Sequence, residues 1–109
     1  MEEKYVRVNK EVIYKKDLSA NERLLLIVLI DKQEYAISTG NDKFYCYVEW
    51  LAENVGVSEK TIKNCIKKLK KAGYIDYSIE KYVGGYRNLY RVNHELLVKG
   101  RVKNALGVG

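Results

Sequence analysis

The sequence predicts a single α+β domain in which helices come first and a β-hairpin closes the fold. Three observations predict it. An apolar run with a helix-capping signature lies at 18–35. Two amphipathic stripes of helical period follow at 47–55 and 58–72, separated by Gly56. A segment of period two then turns back on itself at Gly84-Gly85. At 109 residues one domain is expected, 1–109, with its core at about 18–92, an arm at 1–17 and an extension at 93–109.

Each element has a local reason. YVRV (5–8) alternates weakly and is rich in β-formers, so a short strand or extended arm is expected there. In LSANERLLLIVLIDKQEY, Ser19 is a good N-cap and Glu22 sits three residues on, a capping box. That decides helix over strand for the seven-residue apolar run at 24–30, which period alone does not. A run of seven covers every side of a helix, so this one is expected to be wrapped all round, by the rest of the domain or by a second subunit. AISTGND (36–42) is a loop by composition, and KFYCY (43–47) a short aromatic strand.

Val48, Leu51, Ala52 and Val55 then mark one helical face. Ser58 caps the next helix, whose buried stripe is Ile62, Cys65, Ile66 and Leu69, and Gly73 ends it as a residue just past a helix should. Ile75, Tyr77 and Ile79 alternate with Asp76, Ser78 and Glu80 before the two-glycine turn. Tyr90 and Val92 face inward on the returning strand. Asn93 caps a short helix, after which the chain becomes basic.

Charge is concentrated on the second amphipathic helix. The net charge is +6, and residues 55–75 hold six lysines and Glu59, or +5 of it. Opposite its apolar stripe, Lys60, Asn64, Lys67 and Lys71 fall at i, i+4, i+7 and i+11, one continuous line flanked by Lys63, Lys68 and Lys70. A helix, a tight glycine turn and a second helix describe a helix-turn-helix.

LAENVGVSEKTIKNCIKKLKKAGYI resembles the winged helix-turn-helix of bacterial and phage regulators. Leu51, Ala52, Gly56, Val57, Ser58, Thr61, Ile62, Ile66, Leu69, Gly73 and Ile75 carry the resemblance. YRNLYRV looks like that family's closing wing strand. LSANERLLLIVL resembles the first helix of plasmid and phage replication proteins and associated repressors. The resemblance spans about residues 18–92. One departure is Tyr47, where the family often has Ser or Thr as a cap. The fold class expected is thus α+β, a winged helix-turn-helix.

An α-helix fits the major groove of B-DNA, its N-terminal residues reaching base edges and its lysines the phosphates. The expected DNA-binding residues are Ser58, Lys60, Thr61, Lys63, Asn64, Lys67, Lys68 and Lys71, with Lys81, Tyr82, Tyr86 and Arg87 around the hairpin tip. Some keep two readings. Ser58 is first a cap, with free N–H groups nearby that favour a phosphate. Thr61 either touches DNA or closes the turn, and Asn64 either pairs with adenine or is exposed polar filler. The hairpin tip either lies on DNA or is solvated, and Trp50 packs on a neighbouring element or on a partner subunit.

Cys46 and Cys65 have no metal-ligand spacing and read as small core residues in a reducing compartment. His94 is isolated. No spaced acid–base pair, phosphate loop or nucleophile with a base is present, so an enzyme is not expected, nor a cofactor, metal or small-molecule ligand. The N-terminus shows no signal-peptide pattern and no run is long enough to span a membrane, so a cytoplasmic location is expected. The expected partners are double-stranded DNA and a second copy of the chain. The expected role is a sequence-specific transcriptional regulator of a bacterium or mobile element. The alternatives are the DNA-reading module of a replication initiation or maintenance protein and, in another class, a winged-helix protein-interaction module.

Overall fold

The computed structural model describes residues 8–97. Four helices, three strands and a 3-10 helix follow in the order α1 (Lys10–Ile13), α2 (Ala20–Ser38), β1 (Phe44–Cys46), α3 (Val48–Val55), α4 (Glu59–Lys71), β2 (Ile75–Tyr82), β3 (Gly85–Val92) and His94–Leu96. The strands form one antiparallel sheet in the order β1-β3-β2. The strand or arm expected at 5–8 lies outside the described residues except for Val8.

Helix α1 falls within the expected arm. Asn9 accepts a hydrogen bond from the Glu11 N–H, and Val12 is fully buried. Arg23 donates to the Ile13 carbonyl at 2.8 Å, which satisfies one of the groups left open at a helix end. One cap and one apolar anchor are enough to dock this turn on α2, too little pattern to stand out in the sequence.

The capping box of α2 forms in both directions: Glu22 N–H to Ser19 Oγ at 3.2 Å, and Ser19 N–H to Glu22 Oε1 at 2.7 Å. Leu25, Leu26, Leu29 and Ile30 are fully buried. The outward stripe is not covered: Leu24 is 43% exposed and Tyr35 68%, with Ile27 and Val28 half-buried between them. Within one chain, therefore, the helix is wrapped on most sides and not all. Trp50 packs on this helix, with Lys32 Nζ 4.1 Å from its ring centroid.

A buried amide joins α2 to the sheet. Gln33, with no exposed surface, donates to the Asp42 carbonyl and accepts from the Val92 N–H, both at 2.7 Å. Both ends of the side chain are satisfied, as burial of a polar group requires. The sheet buries Tyr90 fully; its ring stacks on Phe44 and tilts against Tyr77, at centroid distances of 5.5 and 5.9 Å. Burial pushes the Tyr90 phenol up to about 12. Both cysteines are buried free thiols, raised by the same cause.

The hairpin departs from expectation in two details. Tyr82 pairs with Gly85, so the two-residue turn is Val83-Gly84, one residue earlier than Gly84-Gly85. A Cβ on Gly84 would come within 2.8 Å of the Tyr82 ring and force it to shift, and Gly85 has φ 134°, a conformation that favours glycine. Ile79, expected to face inward with Ile75 and Tyr77, is 65% exposed. It keeps their side of the strand, but the hairpin has by then run past the helices. Asn93 caps the 3-10 helix through the Glu95 N–H, and Leu96 and Leu97 are buried. The rest of the expected extension lies outside the described residues.

Candidate nucleic-acid interface

The turn between α3 and α4 sets the interface. Gly56 has φ 84°, a left-handed conformation that glycine takes without strain, and its N–H and that of Val57 both return to the Ala52 carbonyl. Tyr47 precedes α3 without a side-chain cap, consistent with its place as a departure from the usual pattern. Ser58 Oγ accepts from the Thr61 N–H at 3.1 Å and pairs with the Thr61 hydroxyl at 2.9 Å. Thr61 is half-buried, and its hydroxyl is paired with the cap of its own helix.

Helix α4 is sharply two-faced. Ile62, Cys65, Ile66 and Leu69 are buried against α2, α3 and β2. Lys60, Lys63, Asn64, Lys67 and Lys71 are exposed, and their side chains make no hydrogen bond or ion pair with described residues. The flanking lysines differ from these. Lys68 Nζ lies 3.2 Å from Glu22 Oε1. Burial alone would raise the Glu22 carboxyl, but the Ser19 N–H and the Lys68 ammonium outweigh it and hold the group below its usual range. Lys70 reaches Asp76 and the Tyr77 carbonyl, both at 3.4 Å, and sits over the Tyr77 ring. Lysines in the last turn also complement the helix dipole. The structure thus brings Lys60, Lys63, Asn64, Lys67 and Lys71 together as one free surface and ties Lys68 to α2.

The four hairpin residues divide between two faces. Lys81 pairs with Tyr86 on the face that carries Tyr77 and Tyr90, the side of the helices. Tyr82 and Arg87 lie on the other face, since strand neighbours alternate. There the Arg87 guanidinium carbon is 3.7 Å from the Tyr45 ring centroid and 5.1 Å from that of Tyr82. Tyr45 in turn hydrogen-bonds Glu80 at 3.1 Å, and Tyr82 tilts against Tyr47. Tyr82 and Arg87 brace the hairpin on β1 and the start of α3, while Lys81 and Tyr86 stand free beyond the core. The parity of 81, 82, 86 and 87 was the signal that could have separated them. The bracing role of Tyr45 had no such signal.

His94 lies 3.2 Å from Asp42, which also holds Arg91 at 2.9 Å. Among the described residues no group of three or more His, Cys, Asp or Glu could hold a metal ion, and no helix is long and apolar enough to cross a membrane.

The arrangement agrees with comparisons to known proteins. Similar solved structures include the N-terminal domain of a DNA-binding protein, 17% identical with a TM-score of 0.62, covering 96% of this chain and 85% of that one. A possible transcriptional regulator from Methanosarcina mazei Go1 is 15% identical with a TM-score of 0.53, over 90% of this chain and 72% of that one. A protein of the thermoacidophilic archaeon Sulfolobus tokodaii is 18% identical with a TM-score of 0.51, over 89% and 92%. At these identities the likeness concerns the fold. No curated protein matches. The family described as "Helix-turn-helix domain" matches residues 16–75, more than half of the chain. With α3, the Gly56 turn and α4 as its motif and the β2–β3 hairpin as its wing, the chain belongs to this helix-turn-helix family, in its winged form.

Proposed function

We propose that this protein is a double-stranded DNA-binding transcriptional regulator that reads a specific site as a homodimer. The carrying observation is the free surface of α4. Lys60, Asn64, Lys67 and Lys71 line the side opposite a fully buried stripe. In the major groove the lysines neutralise phosphates, while Asn64 has the donor and acceptor needed for two bonds to one adenine. Lys81 and Tyr86, on the helix side of the wing, meet the flanking backbone. The bracing of Arg87 against Tyr45 and Tyr82 keeps the wing at a fixed angle to α4.

The homodimer is supported by the uncovered stripe of α2. Leu24 and Tyr35 lie three turns apart on one line, so an antiparallel two-fold pairing of α2 with its copy sets each Tyr35 over the other chain's Leu24. A protein-interaction module is disfavoured by the lysine content of α4, since the buried centre of a protein interface is depleted in charge and in lysine.

Selection of bound sequences from a random duplex library tests the reading. A palindromic consensus is the expected result. Tandem direct repeats would favour a replication initiator, and no enrichment would remove the DNA-reading role. On the selected site, Asn64→Ala should lower the preference over a scrambled duplex by roughly 1–3 kcal/mol, the discrimination a good bidentate pair provides.

A further inference from the structure

The exposed face of α4 has two flanks. On one, Lys70 reaches Asp76 and Tyr77 of β2, and the wing extends beyond them. On the other, Lys68 pairs with Glu22 in the first turn of α2. The elbow between α1 and α2, residues 14–18, leads directly into that turn and so lies beside the second flank. Besides the buried Leu18, it is clamped there by a residue that follows α4. Tyr74 donates its hydroxyl to Asp17 Oδ2 at 2.6 Å, and Lys15 Nζ sits 4.6 Å from the centroid of the same ring. The Tyr74 hydroxyl, against the opposing effect of desolvation, holds the Asp17 carboxyl below its usual range, with a backbone hydrogen bond, Lys15 and Lys68 adding to it. Asp17 is therefore ionised and occupied by the tyrosine. A ring face orients an ammonium without neutralising it, so Lys15 keeps its charge, and Lys16 beside it is exposed.

We propose that the elbow, through Lys15 and Lys16, is a second phosphate-binding ledge that holds the DNA backbone on the flank of α4 opposite the wing. The inference rests on the duplex-binding reading above and extends it to a line of the backbone that the helix-turn-helix and wing do not reach. A major groove has a phosphate wall on each side. The wing meets one. On the other side, the lysine of α4 nearest that wall, Lys68, is already paired with Glu22. Lys15 and Lys16 supply the missing cations, and a lysine suits a phosphate as a point charge. Because Tyr74 ties the elbow to the end of α4, the ledge and the recognition helix hold one spacing.

The test uses the whole chain on a selected duplex, with binding titrated against salt and the backbone probed by hydroxyl-radical footprinting. The double variant Lys15→Ala/Lys16→Ala should lower the slope of log affinity against log salt by about 2 per subunit, at about 0.9 for each phosphate no longer neutralised. Its footprint should shrink on one flank only. Lys15→Arg/Lys16→Arg should restore both, and Lys43→Ala, on the outer face of the sheet, should change neither. Thermal melting of each variant separates weakened binding from unfolding. Wild-type slope and footprint in the alanine double variant would overturn the ledge alone. Failure of the wild-type chain to bind any duplex would overturn the ledge together with the DNA-binding reading.

Discussion

Arg87 of β3 lies face-on to Tyr45 of β1, its guanidinium carbon 3.7 Å from the ring centroid, with Tyr82 on its other side at 5.1 Å. The sandwich joins the wing to the strand at the opposite edge of the sheet, and it separates two kinds of wing residue. Lys81→Ala should weaken duplex binding and leave the melting temperature unchanged. Arg87→Ala should weaken binding and also destabilise the fold, by about 1 kcal/mol for the missing stacking. Thermal melts and binding isotherms on both variants check this; equal melts for the two would remove the bracing role.

Gln33 should matter to stability out of proportion to its chemistry. Gln33→Leu keeps the volume but orphans the buried Val92 N–H and the Asp42 carbonyl. Of the two only the Val92 N–H is fully buried, and a buried group left unpaired costs about 1–3 kcal/mol, so a loss of about 1–3 kcal/mol is expected in denaturant unfolding. A loss below about 1 kcal/mol would mean that water or a rearranged loop replaces the amide.

The Ser19–Glu22–Lys68 cluster predicts an acid limb in the stability curve. The Glu22 carboxyl is held below its unfolded value, so its contribution is present above the ordinary glutamate range and is lost as pH falls through the depressed native value. Glu22→Gln should flatten that limb. Ser19→Ala should cost about 1 kcal/mol at neutral pH through removal of the cap. Stability measured from neutral pH down to about pH 3 reads both effects; an acid limb unchanged in Glu22→Gln would assign it to other carboxylates.

The uncovered stripe of α2 predicts a dimer. Sedimentation at micromolar concentration should give a dimer for the wild-type chain and a monomer for Tyr35→Asp, with the melt of the isolated subunit little changed because Tyr35 is already mostly exposed. A wild-type monomer, with and without DNA, would remove the homodimer.

Where a local rule decided, the sequence was legible. Ser19 with Glu22, Ser58 with its apolar stripe, Gly56, Gly73 and the alternation around Ile75 each specified an element whose start formed within a residue or two of expectation, but α2 runs on to Ser38, three residues into the loop expected at 36–42, where Ala36 and Ile37 are buried. The lysine line on α4 was legible for the same reason, since helical period alone sets which residues share a face. What stayed hidden depended on residues distant in sequence. Nothing near Lys68 announced that Glu22 would hold it, and nothing near Asp17 announced Tyr74. The sandwich of Arg87 needed the register of β1 on β3, which a three-residue strand does not reveal. Helix α1 was missed because four residues leave no period to read.

The free face of α4 is expected to lie against duplex DNA. Fluorescence anisotropy over a range of salt, on the wild-type chain and on Lys60→Ala/Lys67→Ala/Lys71→Ala, tests it most directly. With three phosphates left unneutralised, the salt slope should fall by about 3 per subunit. The melting temperature should stay nearly unchanged because all three residues are exposed. A triple variant that binds with the wild-type slope would contradict the account and leave the lysine line a solvated face.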